Sequence, residues 1–333
     1  MKRNRQQQLG VALISVMLVV ALAAILAGQM TARIQLQMQR SINIGFNEQA
    51  YWYAMGAEAL AKRVLASDLK KNKNTTHLEQ DWAQGENTYP VDYGQITGEI
   101  VDLQACFNLN ALRGKVAGAP GGRSTRKPIR RIALEELIIG LNLPNVSQFE
   151  AESMVDALVD WLDEDSAIAS VGGAEDNDYA SLAFPYLPAN YYLASITELR
   201  AVANFTPAVI KALKPYVCVL PNTDLHNVNI NTLNSEQALL LQALLGITLS
   251  EAQEIISKRP ADGFASTADF SALPEVSQAK VTSDHKKPFV VKSHYFKLKT
   301  KASFNDSYFS LSSIIYIEDN QPISVVSRKI GRN

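Results

Sequence analysis

An uncharged apolar segment near the start of the chain constrains its fold more than any other feature of the sequence. No charged residue occurs from Leu9 to Ala32, a stretch longer than the roughly 20 apolar residues that a bilayer-spanning helix requires. Three basic residues and no acidic one precede it, so the positive-inside rule predicts a cytoplasmic N-terminus and places the bulk of the chain across the membrane. A secretory signal peptide, the alternative, has a shorter apolar core of about 7–15 residues. We therefore expect a retained single-pass helix.

The helical pattern continues beyond the membrane segment. Residues 33–68 contain no proline, and their apolar residues recur at helical spacing between Gln, Arg, Asn and Glu, as in an amphipathic helix. One continuous helix over residues 11–68 would be about 85 Å long at about 1.5 Å per residue. The alternative is a membrane anchor followed by a separate juxtamembrane helix, with a bend at Gly28, Gly45 or Gly56.

Strand patterns occupy both ends of the remaining chain. Apolar and polar residues alternate in residues 91–109, Phe289–Lys299, Tyr308–Ile317 and Ile323–Ile330, which predicts strands. Turn-like residues separate the last three segments at Lys301–Asn305 and Glu318–Pro322, as in an antiparallel meander.

Helix-start signals fill the region between the strands. Capping boxes begin at Ser147, Ser195 and Thr248, and Pro207 follows Thr206 where a first helical residue is expected. The sequence therefore predicts an α+β fold in which an all-helical domain, residues 112–285, is inserted between strands of one antiparallel sheet.

A family resemblance rests on the processing context of the N-terminus. The basic leader, Gly10, Val11 and the long apolar helix resemble the signal of type IV pilins and pseudopilins. The resemblance implies cleavage after Gly10 by a prepilin peptidase and methylation of Val11. Most members carry Glu at mature position five, whereas this chain has Ser15, a departure typical of the K component of type II secretion systems. A helical insert within a pilin-like sheet is also a feature of that family.

The resemblance implies a function and a division of the chain. We expect a minor pseudopilin at the tip of the type II secretion pseudopilus, in a ternary complex with I- and J-type minor pseudopilins that primes pseudopilus assembly. The chain would be a single-pass protein of the bacterial inner membrane with a periplasmic domain. The expected parts are a leader (1–10), a transmembrane helix (11–32), a helix continuation with the first strands (33–111), the insert (112–285) and the C-terminal strands (286–333).

An acidic segment in the insert is the candidate metal site. Eight Asp and Glu residues fall within residues 156–178, and no Lys or Arg occurs between Arg131 and Arg200. Such a cluster is either a solvated loop or a cation site, and oxygen ligands favour Ca²⁺. An EF-hand is excluded because Ile168 and Ala174 occupy its sixth and twelfth positions. Resemblance to the calcium-binding segment of the K-type family implies a structural calcium and these candidate ligands: Asp160, Asp163, Asp165, Glu175, Asp176 and Asp178.

The two cysteines, Cys106 and Cys218, would lie in an oxidising compartment. An even pair there indicates one disulfide joining the insert to the sheet, and two buried free thiols are the alternative.

Two further motifs suggest binding to nucleic acid or to an acidic partner. Residues 228–270 resemble a helix-hairpin-helix module, so a membrane-anchored DNA receptor is the alternative function. The net charge of −1 and the few basic residues in the module argue against DNA, which needs several Lys or Arg on its phosphates; we expect a packing role. The basic run Arg123–Arg131 follows a glycine-rich stretch and is either a solvated loop or a contact with an acidic partner.

No nucleophile–base motif occurs, and we expect no enzymatic activity.

Overall fold

The computed structural model describes residues 8–113, 127–277, 281–319 and 321–331. Its first element is a single helix, α1 (Gln8–Lys71). The side chains of its first part are exposed from Val11 to Ile44, whereas Ala50, Ala54 and later residues are buried on one side. The continuous helix predicted from the sequence is confirmed, without a break at any of its glycines.

A five-stranded antiparallel sheet packs against the C-terminal part of α1, with the strand order β1-β2-β7-β8-β9. The strands of the described residues are β1 (Asn87–Val91), β2 (Gly94–Asp102), β3 (Phe107–Asn108), β4 (Val217–Cys218), β5 (Val228–Asn229), β6 (Phe289–Val290), β7 (Tyr295–Phe304), β8 (Ser307–Tyr316) and β9 (Ser324–Ile330). Outside the large sheet, β3 pairs with β4 and β5 with β6, each as a two-residue parallel bridge.

Alternation along β7 decides which face of the sheet meets α1. Phe296 and Leu298 are buried and pack with Ala61 and Leu65 of α1, while the intervening lysines lie on the opposite face. The register that pairs Leu298 with Ser313 also places Ser313 beneath α1. There its hydroxyl donates a hydrogen bond to Glu58 at 2.6 Å.

The predicted strands needed three corrections. Phe289–Lys299 is not one strand, because the Ser293 N–H donates to the Thr76 hydroxyl at 3.1 Å instead of entering the ladder. The strand that follows runs on to Phe304, and the turn expected over Lys301–Asn305 narrows to a tight turn at Asn305, whose φ is 48°. The first strand begins earlier than predicted and contains Pro90, which is tolerated because β1 lies at the sheet edge.

Helices dominate the region between β2 and β7. They are α2 (Ile129–Gly140), α3 (Gln148–Leu162), α4 (Asp176–Ala180), α5 (Pro207–Leu213), α6 (Ala238–Leu245), α7 (Leu249–Lys258), α8 (Thr267–Ser271), α9 (Pro274–Ser277) and α10 (Ser283–Lys286). Short 3₁₀ helices of this region span Leu109–Arg113, Ile196–Arg200 and Ser235–Gln237, and another, Asp81–Ala83, lies between α1 and β1. The capping boxes predicted at Ser147 and Thr248 are present, whereas Ser195 caps a 3₁₀ helix by accepting the Thr197 N–H. Because β2 and β7 are neighbours in the sheet, the insert enters and leaves between adjacent strands.

The insert has its own core, joined to the sheet by covalent and polar links. Ala105, Phe107 and Phe289 belong to that core, which therefore extends past the expected bounds of 112–285. Cys106 and Cys218 form the predicted disulfide, with Cα atoms 5.8 Å apart.

A buried carboxylate forms the polar link between sheet and insert. Asp102, the last residue of β2, accepts hydrogen bonds from Ser293, from Thr232 and from the Gln104 N–H. Burial nevertheless raises the pKa of Asp102 above its ordinary value. These donors come from both sides of the junction, so the side chain fixes the insert to the sheet.

Candidate metal centre

The end of α3 and the start of α4 bring the acidic segment together. Helix α3 ends after Leu162, and Asp163 adopts an extended backbone as its C-terminal cap. The chain then loops back to Glu175, the N-cap residue of α4, whose backbone N–H donates to the carboxylate of Asp178. Both helix ends bury apolar residues in the core of the insert, including Leu162 and Tyr179, so the acidic loop between them is held at both ends.

Three of the six candidate ligands meet in one place. One carboxylate oxygen each from Asp163, Asp165 and Glu175 lies within 4.8 Å of the others. Asp160 adjoins this group from one turn earlier on α3; it is fully buried, and its Oδ1 accepts the Ala169 N–H at 3.2 Å. We call these four carboxylates the acidic cluster.

Several buried oxygens of this region have no donor among the described residues. They are Asp160 Oδ2, Asp163 Oδ1, both carboxylate oxygens of Glu175, Ser170 Oγ and Asn190 Oδ1. A buried polar atom without a partner is destabilising, and a bound cation can supply the partner that such oxygens lack. All of these candidate ligand atoms are oxygens, and a hard cation such as Ca²⁺ takes six to eight oxygen ligands at once.

The electrostatics of the acidic cluster are those of carboxylates buried together. Burial, with the neighbouring charges of Asp163 and Asp156 adding to it, raises the pKa of Asp160 to about 6. Burial, with a neighbouring carboxylate, likewise raises the pKa of Asp163 to about 6 and that of Glu175 to about 7. In each case the charged form is disfavoured first by desolvation and then by like charges. A divalent cation would remove both penalties.

Two adjacent glycines allow the acidic loop to approach α3 closely. A Cβ atom on Gly173 would collide with Oδ2 of Asp160, and one on Gly172 would lie 2.6 Å from Cα of Ser153. The loop therefore packs its backbone directly on α3. The sequence signal was the Gly172–Gly173 pair itself, because paired glycines also mark places where two backbones approach closely. Ser170 and Asn190 carried no such signal.

The other candidate ligands have different roles in this structure. Oδ2 of Asp178 accepts the Glu175 N–H at 2.9 Å, so this carboxylate caps α4. Asp176 lies in the first turn of α4, where its charge helps to raise the Glu175 pKa, but it is outside the group of three. Asp156, also within the acidic segment, faces Arg131 at 3.9 Å.

The basic run is only partly described, since Arg123 and Arg126 lie outside the described residues. Lys127 contacts Glu135 at 3.1 Å and Glu152 at 3.2 Å. The described part of the run therefore pairs with acidic residues of α2 and α3 inside the insert.

The helix-hairpin-helix-like module forms a bent helix pair. Helices α6 and α7 meet at 119° around Gly246, whose φ is +67°. Of its basic side chains, Lys258 pairs with Glu254 and Glu275, and Arg259 donates to the carbonyls of Ile230 and Leu233. These two cations are thus used within the protein, which favours the packing role over phosphate binding.

Comparisons with known proteins agree along the whole chain. Two family models, both described as "Type II secretion system (T2SS), protein K", match residues 105–222 and 228–292. The chain is 38% identical over 331 residues to type II secretion system protein K of Aeromonas hydrophila, covering 98% of each chain. It is 34% identical over 327 residues to the protein of that name from Klebsiella pneumoniae, covering 98% of this chain and 97% of the relative.

A solved structure gives the same result for the fold. A chain in the crystal structure of the GspK-GspI-GspJ complex from the enterotoxigenic Escherichia coli type 2 secretion system superposes with a TM-score of 0.78. The two chains are 33% identical, and the match covers 88% of this chain and 100% of that one.

Proposed function

The chain belongs to the protein K family of the type II secretion system and is a minor pseudopilin, and from this premise we propose that it acts at the pseudopilus tip. There it would form a ternary complex with I- and J-type minor pseudopilins and so prime pseudopilus assembly. The observation that carries the proposal is the structural likeness, over its full length and at 33% identity, to a chain solved in the GspK-GspI-GspJ complex.

Ser15 supports a place at the end of the pseudopilus. Its hydroxyl donates to the Val11 carbonyl at 2.8 Å, so it is already used within α1. A buried N-terminal ammonium is destabilising unless it is paired with an opposite charge, and Ser15 offers none to a subunit stacked above it.

We also propose a membrane topology and processing for this subunit. The apolar part of α1 has the length and composition of a membrane span, and the basic leader favours a cytoplasmic N-terminus. The sheet and insert would then lie in the periplasm, and cleavage after Gly10 would leave a methylated Val11. The role is structural rather than enzymatic, as expected for a component of the secretion apparatus.

We further propose that the acidic cluster holds a structural Ca²⁺. Asp160, Asp163, Asp165 and Glu175 would supply carboxylate oxygens. Ser170 would add its hydroxyl oxygen and Asn190, whose amide nitrogen donates to the Asp165 carbonyl at 3.2 Å, its amide oxygen. Neither oxygen has a hydrogen-bond partner among the described residues. The cation would neutralise the repulsion within the cluster and fix the loop between α3 and α4.

Co-purification tests the proposed assembly. The full-length chain, produced in a cell that contains the prepilin peptidase and extracted in detergent, should elute as one complex with the I- and J-type subunits. Intact-mass measurement on the same sample should give a chain that begins at methylated Val11. A chain that elutes alone in the presence of both partners would contradict the proposal, and a mass that retains Met1 would contradict the processing.

A further inference from the structure

An exposed apolar loop lies directly after α4 in the insert. The six residues Leu182–Leu187 are all exposed; Phe184 is 87% and Leu187 is 64% accessible to solvent. Residues 181–195 themselves form neither helix nor strand. Soluble proteins rarely expose several large apolar side chains side by side, and those that do generally use them to bind a partner.

The loop is held firmly at its base. Tyr186 lies between its exposed neighbours and packs its ring on two others, with its ring centroid 5.3 Å from that of Tyr179 and 6.4 Å from that of Trp161. Its hydroxyl donates to the carbonyl of Ala201 at 2.8 Å. Pro188, directly after the loop, is buried. Phe184 and Leu187 are therefore presented on a fixed support, which lowers the entropy that binding must overcome.

The backbone of the loop is available to a partner. Within the described part of the chain, the N–H groups of Ala183, Phe184, Tyr186 and Leu187 donate no backbone hydrogen bond, and Pro185 has no N–H to donate. An extended segment of this kind can lie in a groove of another protein and pair its backbone there.

The surrounding charge restricts the kind of partner. The exposed or partly exposed charged residues that precede the loop, from residue 163 to residue 178, are all acidic. Of the basic residues near it, Arg113 is paired with Glu164 at 3.0 Å, whereas Arg200 is exposed beside Ala201. The exposed charged residues that border the loop in the chain are therefore mainly acidic, which favours an apolar cavity with Lys or Arg at its rim.

Location and size decide which kind of partner fits. The exposed apolar side chains of α1 from Val11 to Ile44 belong to the other half of the molecule and offer an extensive surface of the kind that a permanent neighbour in the pseudopilus needs. A six-residue loop can bury much less than the roughly 800 Å² per partner of a standard stable interface. Such a contact suits a protein that is bound and then released.

From these observations we propose that Leu182–Leu187 is a transient contact site for exported proteins, each presenting an apolar cavity with a basic rim. This inference rests on the proposed function, because it requires the chain to work in secretion. The probe is the most abundant protein that the wild-type source bacterium releases and that a strain lacking this chain retains.

Photocrosslinking gives the direct test. Benzoylphenylalanine placed at position 184 of the full-length chain should crosslink to the probe protein in secreting cells. The matched position is Phe149, which is 66% exposed at the start of α3 in the same insert and should give no adduct. With purified components, the yield at position 184 should fall several-fold between low and high salt, because screening weakens a charge-assisted contact. Adducts only with other pseudopilins, or equal adducts at both positions, would overturn the proposal.

Secretion gives the second test. In cells carrying Phe184→Ser with Leu187→Ser, we expect release of the probe protein to fall about tenfold, since a few apolar anchors dominate most interfaces. Both side chains are exposed, so the melting temperature and co-purification with the I- and J-type subunits should not change; Phe149→Ser is the control. Normal release would overturn the inference, and so would loss of co-purification in the double variant, which would make the loop an assembly contact. Failure of the wild-type chain to co-purify would instead contradict the proposed function.

Discussion

Two buried glutamates, one in each half of the molecule, have opposite surroundings. Glu58 of α1 lies under the sheet, where the Arg328 guanidinium donates to both of its oxygens at 2.8 Å and Ser313 adds a third hydrogen bond. These partners hold the Glu58 pKa below its ordinary value. Glu175 in the insert is equally buried, has no donor to either side-chain oxygen among the described residues, and has its pKa raised to about 7.

The difference separates a carboxylate whose hydrogen bonds are satisfied within the fold from one whose side-chain oxygens have no donor among the described residues. The desolvation of Glu58 is compensated by a guanidinium from β9, so this pair fixes the last strand on α1. The charges that act most strongly on Glu175 are other carboxylates, and no described residue donates a hydrogen bond to its side-chain oxygens. Removing a partner from Glu58 should therefore destabilise the protein, whereas removing the charge of Glu175 in chelator should stabilise it.

The largest mutational effect is expected at the Glu58 pair. Arg328→Ala would leave the buried carboxylate of Glu58 with Ser313 as its remaining partner. We expect the free energy of unfolding to fall by about 2 kcal/mol. This loss is smaller than the roughly 3–5 kcal/mol of fully buried pairs, because Arg328 is half exposed. Urea unfolding of the full-length chain in detergent measures it. Lys329→Ala, the exposed neighbour on β9, should stay within about 0.5 kcal/mol. Equal effects of the two substitutions would show that the Glu58–Arg328 pair contributes nothing to the free energy of unfolding.

A smaller effect is expected from pH when the metal is absent. The folded pKa values of Asp160, Asp163 and Glu175 are raised to about 6, 6 and 7, so the folded state binds protons more tightly than the unfolded state. Their stabilisation is fully present below the unfolded values near 4 and is lost as pH rises through 6 to 7. In chelator, the melting temperature should therefore fall between pH 5 and pH 8.

A matched variant isolates the acidic cluster in that experiment. Burial also raises the pKa of Asp102, so only the difference between two chains is diagnostic. The double variant Asp163→Asn with Glu175→Gln should have a flatter profile and should melt higher than wild type at pH 8 in chelator. Parallel profiles for the two chains would remove the acidic cluster as a source of the pH dependence.

The sequence predicted most of the pilin-like half because the patterns there are long. The apolar run and the helical spacing of residues 33–68 correctly gave one helix, and the insertion between strands of one sheet followed from alternation at both ends. One error arose where a tertiary hydrogen bond decided the structure. Ser293 fits a strand pattern, but its N–H and hydroxyl are drawn to Thr76 and Asp102, and local periodicity contains no information about such partners.

The candidate metal centre was only partly predictable for the same reason. Uncompensated charge identified the acidic segment, but it could not distinguish carboxylates that converge from those used elsewhere. Asp178, expected as a ligand, accepts the Glu175 N–H at the start of α4, and an acid three residues after an N-cap is a general capping signal. Asn190 is 25 residues beyond Asp165, and only the fold brings its side chain to the Asp165 carbonyl at 3.2 Å.

The measurement that tests the central claim most directly is the melting temperature of the full-length chain in calcium and in chelator, with two variants. A cation that binds only the folded state at a hundredfold excess over its Kd stabilises it by about 2.7 kcal/mol. Wild type and Glu164→Gln, an exposed carboxylate paired with Arg113, should melt several degrees higher in millimolar Ca²⁺. Gly173→Ala, whose new methyl group would displace the Asp160 carboxylate, should lose most of that gain. A wild-type melting temperature that is the same in calcium and in chelator would contradict the claim that the acidic cluster binds a cation.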